Sequence, residues 1–325
     1  MLKKLCLCTL TVLLAAVFYG CAAPNPPANS NGQPSPDGSL SSAVTVVVTW
    51  DFGNEVLLEE TVAIEPDTRA MDVLQKVASV ETKYGGGFVD SINGIGAGSE
   101  EAGKSPMDWF LYINGIASNV GAADYILGDG DVEHWDFRNW SYHQYVPAII
   151  GNFPQSFRRG YKGNIRPTVV VYEAWLGSEA ESLVEHLERA GILDVSAVSG
   201  DQLSGEVREQ NNLIILAEMD SGVIAEINSA YKKLGLSIYF DSGKIVALDA
   251  DGNTFREFGS GSGVIQATQN PWQPKGVGAG ESVVWMVTGN DETGVRSAVE
   301  ALMYQDFKYA YAVVISGGEI FRVPQ

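Results

Sequence analysis

Residues 43–64 read AVTVVVTWDFGNEVLLEETVAI, and their pattern sets the fold class of the first half of the chain. Val44, Val46 and Val48 alternate with Thr45, Val47 and Thr49, the period of two that belongs to an extended strand. Asp51-Phe52-Gly53-Asn54 supplies turn chemistry, and Val56, Leu58 and the residues up to Ile64 return as a second strand. Working outward, Pro66-Asp67-Thr68 opens a helix with Asp67 or Thr68 as N-cap. Met71, Leu74, Val77 and Ala78 form its apolar stripe, and Gly85-Gly86-Gly87 ends it. Short strands follow over 88–92, 109–113 and 132–137, separated by Asn93-Gly94, Asn114-Gly115 and Asp129-Gly130, dipeptides suited to left-handed turns. A hairpin, one helix and further strands are the order of a β-grasp-like α+β domain, here over 43–142.

Residues 143–166 show no period and read as an ordered connector with a basic turn at Arg158, Arg159 and Lys162. From 167 to 325 strand and helix alternate. Apolar runs at 168–172, 213–216, 238–240, 283–287 and 311–315 are strands. Ser178 caps a helix carrying Ala180, Leu183, Val184 and Leu187; Val223, Ile227 and Tyr231 mark the next, and 291–303 a third. This is the pattern of an α/β domain with a mainly parallel sheet covered on both faces.

Ahead of both lies a different kind of segment. Met1-Leu2-Lys3-Lys4 is a basic n-region, an apolar run follows from Leu5 to about Tyr19, and Gly20-Cys21-Ala22-Ala23 closes it. The run is short for a membrane span of about 20 residues and has the form of a secretory signal over 1–20. Gly20 before Cys21 resembles the lipobox of bacterial lipoproteins, which implies acylation of Cys21 and an extracytoplasmic, membrane-anchored protein. Cys6 and Cys8 would leave with the signal, so disulfides and thiolate chemistry are excluded from the remainder. Residues 21–42, rich in Pro, Asn, Ser and Gly, lack the apolar content to offset their ordering entropy and read as a disordered tether.

The chain has 325 residues, 45% of them hydrophobic, which suffices for a large core. With 21 Lys+Arg against 40 Asp+Glu the net charge is −19, which excludes broad nucleic-acid contact, since that depends on cations neutralising phosphates. There is no G-x-S-x-G, H-E-x-x-H or G-x-x-x-x-G-K motif, and no catalytic residue or metal site is assigned. Gly259-Ser260-Gly261-Ser262-Gly263 runs into a strand rather than a helix and reads as a turn. His186 belongs to a solvated helix face. Alternation sends Glu133, Trp135 and Phe137 one way and His134 with Asp136 the other, so His134 is expected to face outward. Asp124, Asp129, Asp131 and Asp136 do not match the calcium-loop spacing. The dense aromatics Trp109, Tyr112, Tyr125, Trp135, Phe137, Trp140, Tyr142 and Tyr145 suit a surface for a planar ligand or a sugar, with Trp135 and Phe137 assigned to the core.

Three ordered phrases carry a family resemblance: 87–94 (GFVDSING), 109–115 (WFLYING), and Gly121-Ala122-Ala123-Asp124-Tyr125 leading to Asp129-Gly130-Asp131. Together with Asp72-Val73-Leu74 they resemble the C-terminal β-domain of transcobalamin and intrinsic factor, over residues 43–140. The resemblance implies a β-grasp-like fold that binds cobalamin or a related corrinoid. Its implied ligand contacts are Phe88, Ser91, Asn93, Trp109, Tyr112, Gly121, Ala122, Asp124 and Tyr125. It implies a small-molecule ligand, delivery to a membrane transporter and no catalytic cofactor. The helical barrel that completes the mammalian carriers has no counterpart here, because the second half reads as α/β. In that half, 264–266, 270–272 and the strand–helix of 283–303 resemble segments of surface-layer proteins, which supports the alternative of a surface structural or adhesion protein. A hydrolase using His134, Asp136 or acids of the second domain as general acid–base groups is the third reading.

Overall fold

The computed structural model describes residues 42–97 and 105–325. The expected export signal, Cys21 and the expected tether lie outside the described residues. Ser41–Gln325 form one compact unit, a mixed α/β structure.

The alternating valines build β1 (Ala43–Trp50), which pairs antiparallel with β2 (Glu55–Ala63). Helix α1 (Ala70–Val77) follows and buries Ala70, Met71, Val73 and Leu74. Its N-cap is Arg69, one residue beyond the expected position. The Asp72 carboxylate accepts the Arg69 backbone N–H at 3.2 Å, while Thr68 donates its hydroxyl to Glu65 O. The triglycine does not end this helix. A small antiparallel sheet comes first, of β3 (Val80–Lys83), β4 (Phe88–Ile92) and β5 (Ile95–Gly96), and Gly85 and Gly86 turn β3 into β4 with φ of 76° and 96°. Strands β6 (Met107–Ile113), β7 (Ile116–Ala117) and β8 (Val132–Asn139) complete the main sheet, in the order β2-β1-β8-β6-β7, with β1 and β8 parallel neighbours.

A single helical turn, α2 (Gln155–Arg158), interrupts the segment that follows. Next come β9 (Thr168–Tyr172), α3 (Gly177–Arg189), β10 (Val195–Ser199), α4 (Gly205–Gln210), β11 (Asn212–Glu218) and α5 (Gly222–Ser229). Ser178 lies inside α3 rather than capping it, and donates to Glu179 Oε2 at 2.8 Å. An antiparallel sheet of β12 (Ile238–Asp241), β13 (Lys244–Leu248) and β14 (Thr254–Phe258) precedes β15 (Gly263–Gln269), β16 (Val283–Gly289), α6 (Glu292–Tyr304), β17 (Ala312–Ser316) and β18 (Glu319–Val323).

The large sheet has the order β10-β9-β11-β16-β15-β17-β18. Its first three pairings are parallel and its last three antiparallel, which corrects the expected mainly parallel sheet. A parallel neighbour requires a crossover connection, and the link from β15 to β16, residues 270–282, contains no helix. Apolar runs reveal burial, not strand direction.

One continuous apolar cluster joins Val46 and Leu74, Phe157 and Tyr161 of the connector, and Trp285 and Leu302 of the second half. The opposite face of the first sheet is also covered: Tyr112 packs with Phe52, Val146, Ile149 and Tyr311. Strand β8 is therefore buried on both faces, and the expectation that His134 faces outward is wrong. His134 and Asp136 are both fully buried.

Candidate functional site

Strands β6 and β8 set Trp109, Leu111 and Trp135 on the same sheet face, with Leu111 directly opposite Trp135 and Trp109 opposite Phe137. Each indole is anchored from below. Trp109 donates Nε1–H to Ile95 O at 3.0 Å, and Trp135 donates to Glu133 Oε1 at 2.7 Å. The Trp109 ring leans on Phe137 with centroids 5.0 Å apart. Two loops wall this floor, one from the β3–β4 turn (Gly87, Phe88, Val89) and one from Ser118 to Ala122. They touch: a Cβ on Gly121 would stand 3.0 Å from Gly87 O. Tyr161 fixes the second loop, its hydroxyl 2.9 Å from both Ser118 Oγ and Asn119 N. The result is a cleft of about 130 Å³ with an aromatic floor. Beside it Tyr84 (89% exposed) and Phe88 (39%) form an edge-to-face pair 6.1 Å apart, an apolar ledge in open solvent.

Four of the nine sequence-expected contacts meet here: Phe88, Trp109, Gly121 and Ala122. The other five are elsewhere. Ser91 is buried and donates to Glu81 Oε2 at 3.1 Å. Asn93 sits at φ 52° in the β4–β5 hairpin, where its Oδ1 accepts Ser79 N at 2.9 Å. Tyr112 is 1% exposed on the far face of the sheet, against Tyr311. Tyr125 is equally buried and accepts Lys162 N–H at 2.8 Å. Asp124 lines a separate cavity of about 590 Å³ with Asp129, Arg159 and Lys162. Leu111, Val120 and Trp135 also line the cleft and were not expected there. Leu111 was readable, since it lies two residues after Trp109 on the same strand face; Val120 sits in a loop without periodicity.

The His134–Asp136 pair belongs to a closed network. Asp136 Oδ1 accepts Thr49 Oγ1 at 2.6 Å and Gly53 N at 3.1 Å, and its Oδ2 accepts the Tyr311 hydroxyl at 2.8 Å. His134 Nε2 lies 2.8 Å from Thr49 Oγ1 and Nδ1 lies 3.1 Å from Asn152 Oδ1. Burial pushes the His134 imidazole below its ordinary value. Asn152 Oδ1 can only accept, so the neutral ring carries its proton on Nδ1 and donates it there, while the Thr49 hydroxyl lies within hydrogen-bond reach of both Nε2 and Asp136 Oδ1. Every partner here is internal, so the network binds sheet to sheet. Among the described residues no group of three or more His, Cys, Asp or Glu lies together in a way that would hold a metal ion.

A family model described as a domain of unknown function, DUF4430, matches residues 67–139, the span that holds the cleft. No curated protein matches this chain. Among solved structures, haptocorrin in complex with cobinamide is similar at 17% identity, over 32% of this chain and 27% of that one, with a TM-score of 0.25. The match thus spans well under half of the haptocorrin chain. A metal-binding candidate from Ruminococcus gnavus ATCC 29149 is similar at 19% identity, over 30% of this chain and 97% of that one, with a TM-score of 0.23.

Proposed function

We propose that this chain is a lipid-anchored, extracytoplasmic binding protein for a corrinoid, that Cys21 carries its anchor, and that it delivers ligand to a membrane transporter. The first sheet, with β1 and β8 as parallel neighbours and α1 packed on it, is read as β-grasp-like. The observation that supports the binding role is convergence: Phe88, Trp109, Gly121 and Ala122, distant in sequence, line one cleft. That cleft is smaller than the roughly 300–1,000 Å³ of sites that enclose small ligands. The corrin therefore lies against it, one apolar edge over Trp109 and Trp135 and the adjoining ring on the Tyr84–Phe88 ledge. Peripheral amides meet the backbone of the glycine-bearing loops.

Calorimetric titration with cyanocobalamin and cobinamide tests this. Saturable binding at about micromolar affinity is expected, weakened about tenfold by Phe88→Ala with little change in melting temperature, because Phe88 is on the surface. Absence of heat and of any absorbance change with both ligands would sink the corrinoid reading and leave the adhesion role in its place.

A further inference from the structure

A cavity of about 630 Å³, separate from this cleft, opens at the C-terminal ends of β9, β10 and β11. Topology creates it. Strands β9 and β11 are parallel neighbours. The chain leaves β9 for α3, whose Ala180, Leu183 and Leu187 join the core on one face of the sheet. It leaves β11 for α5, whose Ile224 and Ile227 join the core on the other. Where two adjacent connections depart to opposite faces, a crevice opens beyond the strand ends, and open α/β sheets hold their ligands there. The volume is that of a small-molecule site.

The lining selects the ligand. Tyr172 and Trp175 contribute partly exposed aromatic surface; Glu173, Asp201, Arg208 and Ser221 contribute polar groups. The charges of Glu173 and Arg208 are already answered. Glu173 Oε2 accepts Trp175 Nε1 at 3.2 Å and Glu218 N at 3.1 Å, and Arg208 pairs with Glu226 at 2.8 Å. An anion would face Glu173 and Asp201 with no uncompensated cation to offset them. A cation or zwitterion would find Glu173 engaged by two N–H donors and only Asp201, exposed to solvent at the rim, left to meet it. Hydrogen-bonding capacity nevertheless remains: the Ser221 hydroxyl oxygen is buried with no partner. A leftover hydroxyl beside aromatic surface calls for a ligand with donors, acceptors and one apolar face, without net charge. We propose that this crevice binds such a neutral, hydroxyl-rich ligand, with the chemistry of a sugar ring.

Saturation-transfer NMR on the full chain tests it, with methyl β-D-glucopyranoside, methyl α-D-mannopyranoside, N-acetylglucosamine and D-xylose as probes and putrescine, L-leucine and inorganic phosphate as competitors. Transfer to the ring C–H protons of at least one sugar is expected at about millimolar affinity, unaffected by the competitors. Trp175→Ala should weaken it about tenfold. Ser221→Ala removes a hydroxyl that makes no bond, so it should weaken transfer several-fold while leaving the melting temperature unchanged. No transfer to any of the four sugars, displacement by a charged competitor, or transfer that survives Ser221→Ala would overturn the proposal. A failed corrinoid titration would not bear on it, because the two sites share no residue.

Discussion

Glu133 stands in the middle of the first sheet, between Val46 of β1 and Ile113 of β6. One carboxyl oxygen accepts the Trp135 indole and the other has no partner. Burial pushes the group up to about 8. Between about pH 4.5 and 8 the folded protein keeps this proton while the unfolded chain has lost it, so stability falls as pH rises, by about 1.4 kcal/mol per pH unit within that window. His143 works from the other side: burial pushes it down to about 4, and stability falls as pH drops from 6.5 toward that value. From these two groups the opposing slopes cancel between about pH 4.5 and 6.5, so urea unfolding at a series of pH values should show a plateau there and an alkaline limb falling from about 6.5 to 8; Glu133→Gln should remove the alkaline limb and turn the plateau into a rise toward 6.5. An unchanged alkaline limb in that variant would contradict the assignment. The residue pattern told part of this story. Alternation correctly set Trp135 and Phe137 inward, but it presumes that a sheet has one wet face. The second face here is covered by Val146, Ile149 and Tyr311, and nothing near His134 announces partners so far along the chain.

Helix α6 depends on its N-cap. Asp291 Oδ1 accepts Gly294 N at 2.9 Å and its Oδ2 accepts Gly261 N at 2.7 Å, so one side chain caps the helix and holds the glycine loop of 259–263. The loop presses so closely that a Cβ on Gly263 would lie 2.3 Å from Gly294 O. Asp291→Ala should cost about 2 kcal/mol, the upper end for a lost cap, and Gly263→Ala more, both read by denaturant midpoint at constant slope. An effect under about 0.5 kcal/mol for Asp291→Ala would mean that the loop holds without it. At this scale the sequence is informative about what forms and weak about how elements meet. Period-two valines and i, i+3, i+4 stripes found β1, β2, α1, α3 and α6. The capping residue of α1 slipped because Thr68 turns its hydroxyl back to Glu65, a choice that two adjacent capping-competent residues do not reveal. The direction of β15 is a property of its connection rather than of its own residues.

Across the whole molecule, Tyr311 joins the halves through Asp136, with Phe52 and Tyr112 packed against its ring at 5.2 and 5.6 Å. Tyr311→Phe leaves the packing and removes a hydrogen bond to a buried carboxyl oxygen, which should cost about 1–3 kcal/mol. Because one apolar cluster crosses from the first sheet through the connector to Trp285, urea unfolding should be a single transition by both circular dichroism and tryptophan emission. Two separated transitions would mean that 143–166 acts as a hinge after all. The change of pattern near residue 143 is visible in the sequence. The burial of Ile150, Phe157 and Tyr161 between the halves is not, because residues that bridge two cores carry no period of their own. The candidate cleft was half legible for a similar reason: strand residues follow alternation, loop residues such as Val120 do not.

The partnership of β1 with β8 has a consequence in time. Thr49 waits for Asp136, 87 residues later, and Asp136 waits a further 175 for Tyr311. At ribosomal speeds of roughly 5–20 residues per second, the first-made strand passes about 4–17 s before its central neighbour exists, and longer before the seam can close. Through that interval the valine-rich β1 has only β2 beside it, with its other edge bare. Such a chain stays unfolded late and is open to wrong pairing, so its yield should depend on how fast it is made and on what shields that edge meanwhile.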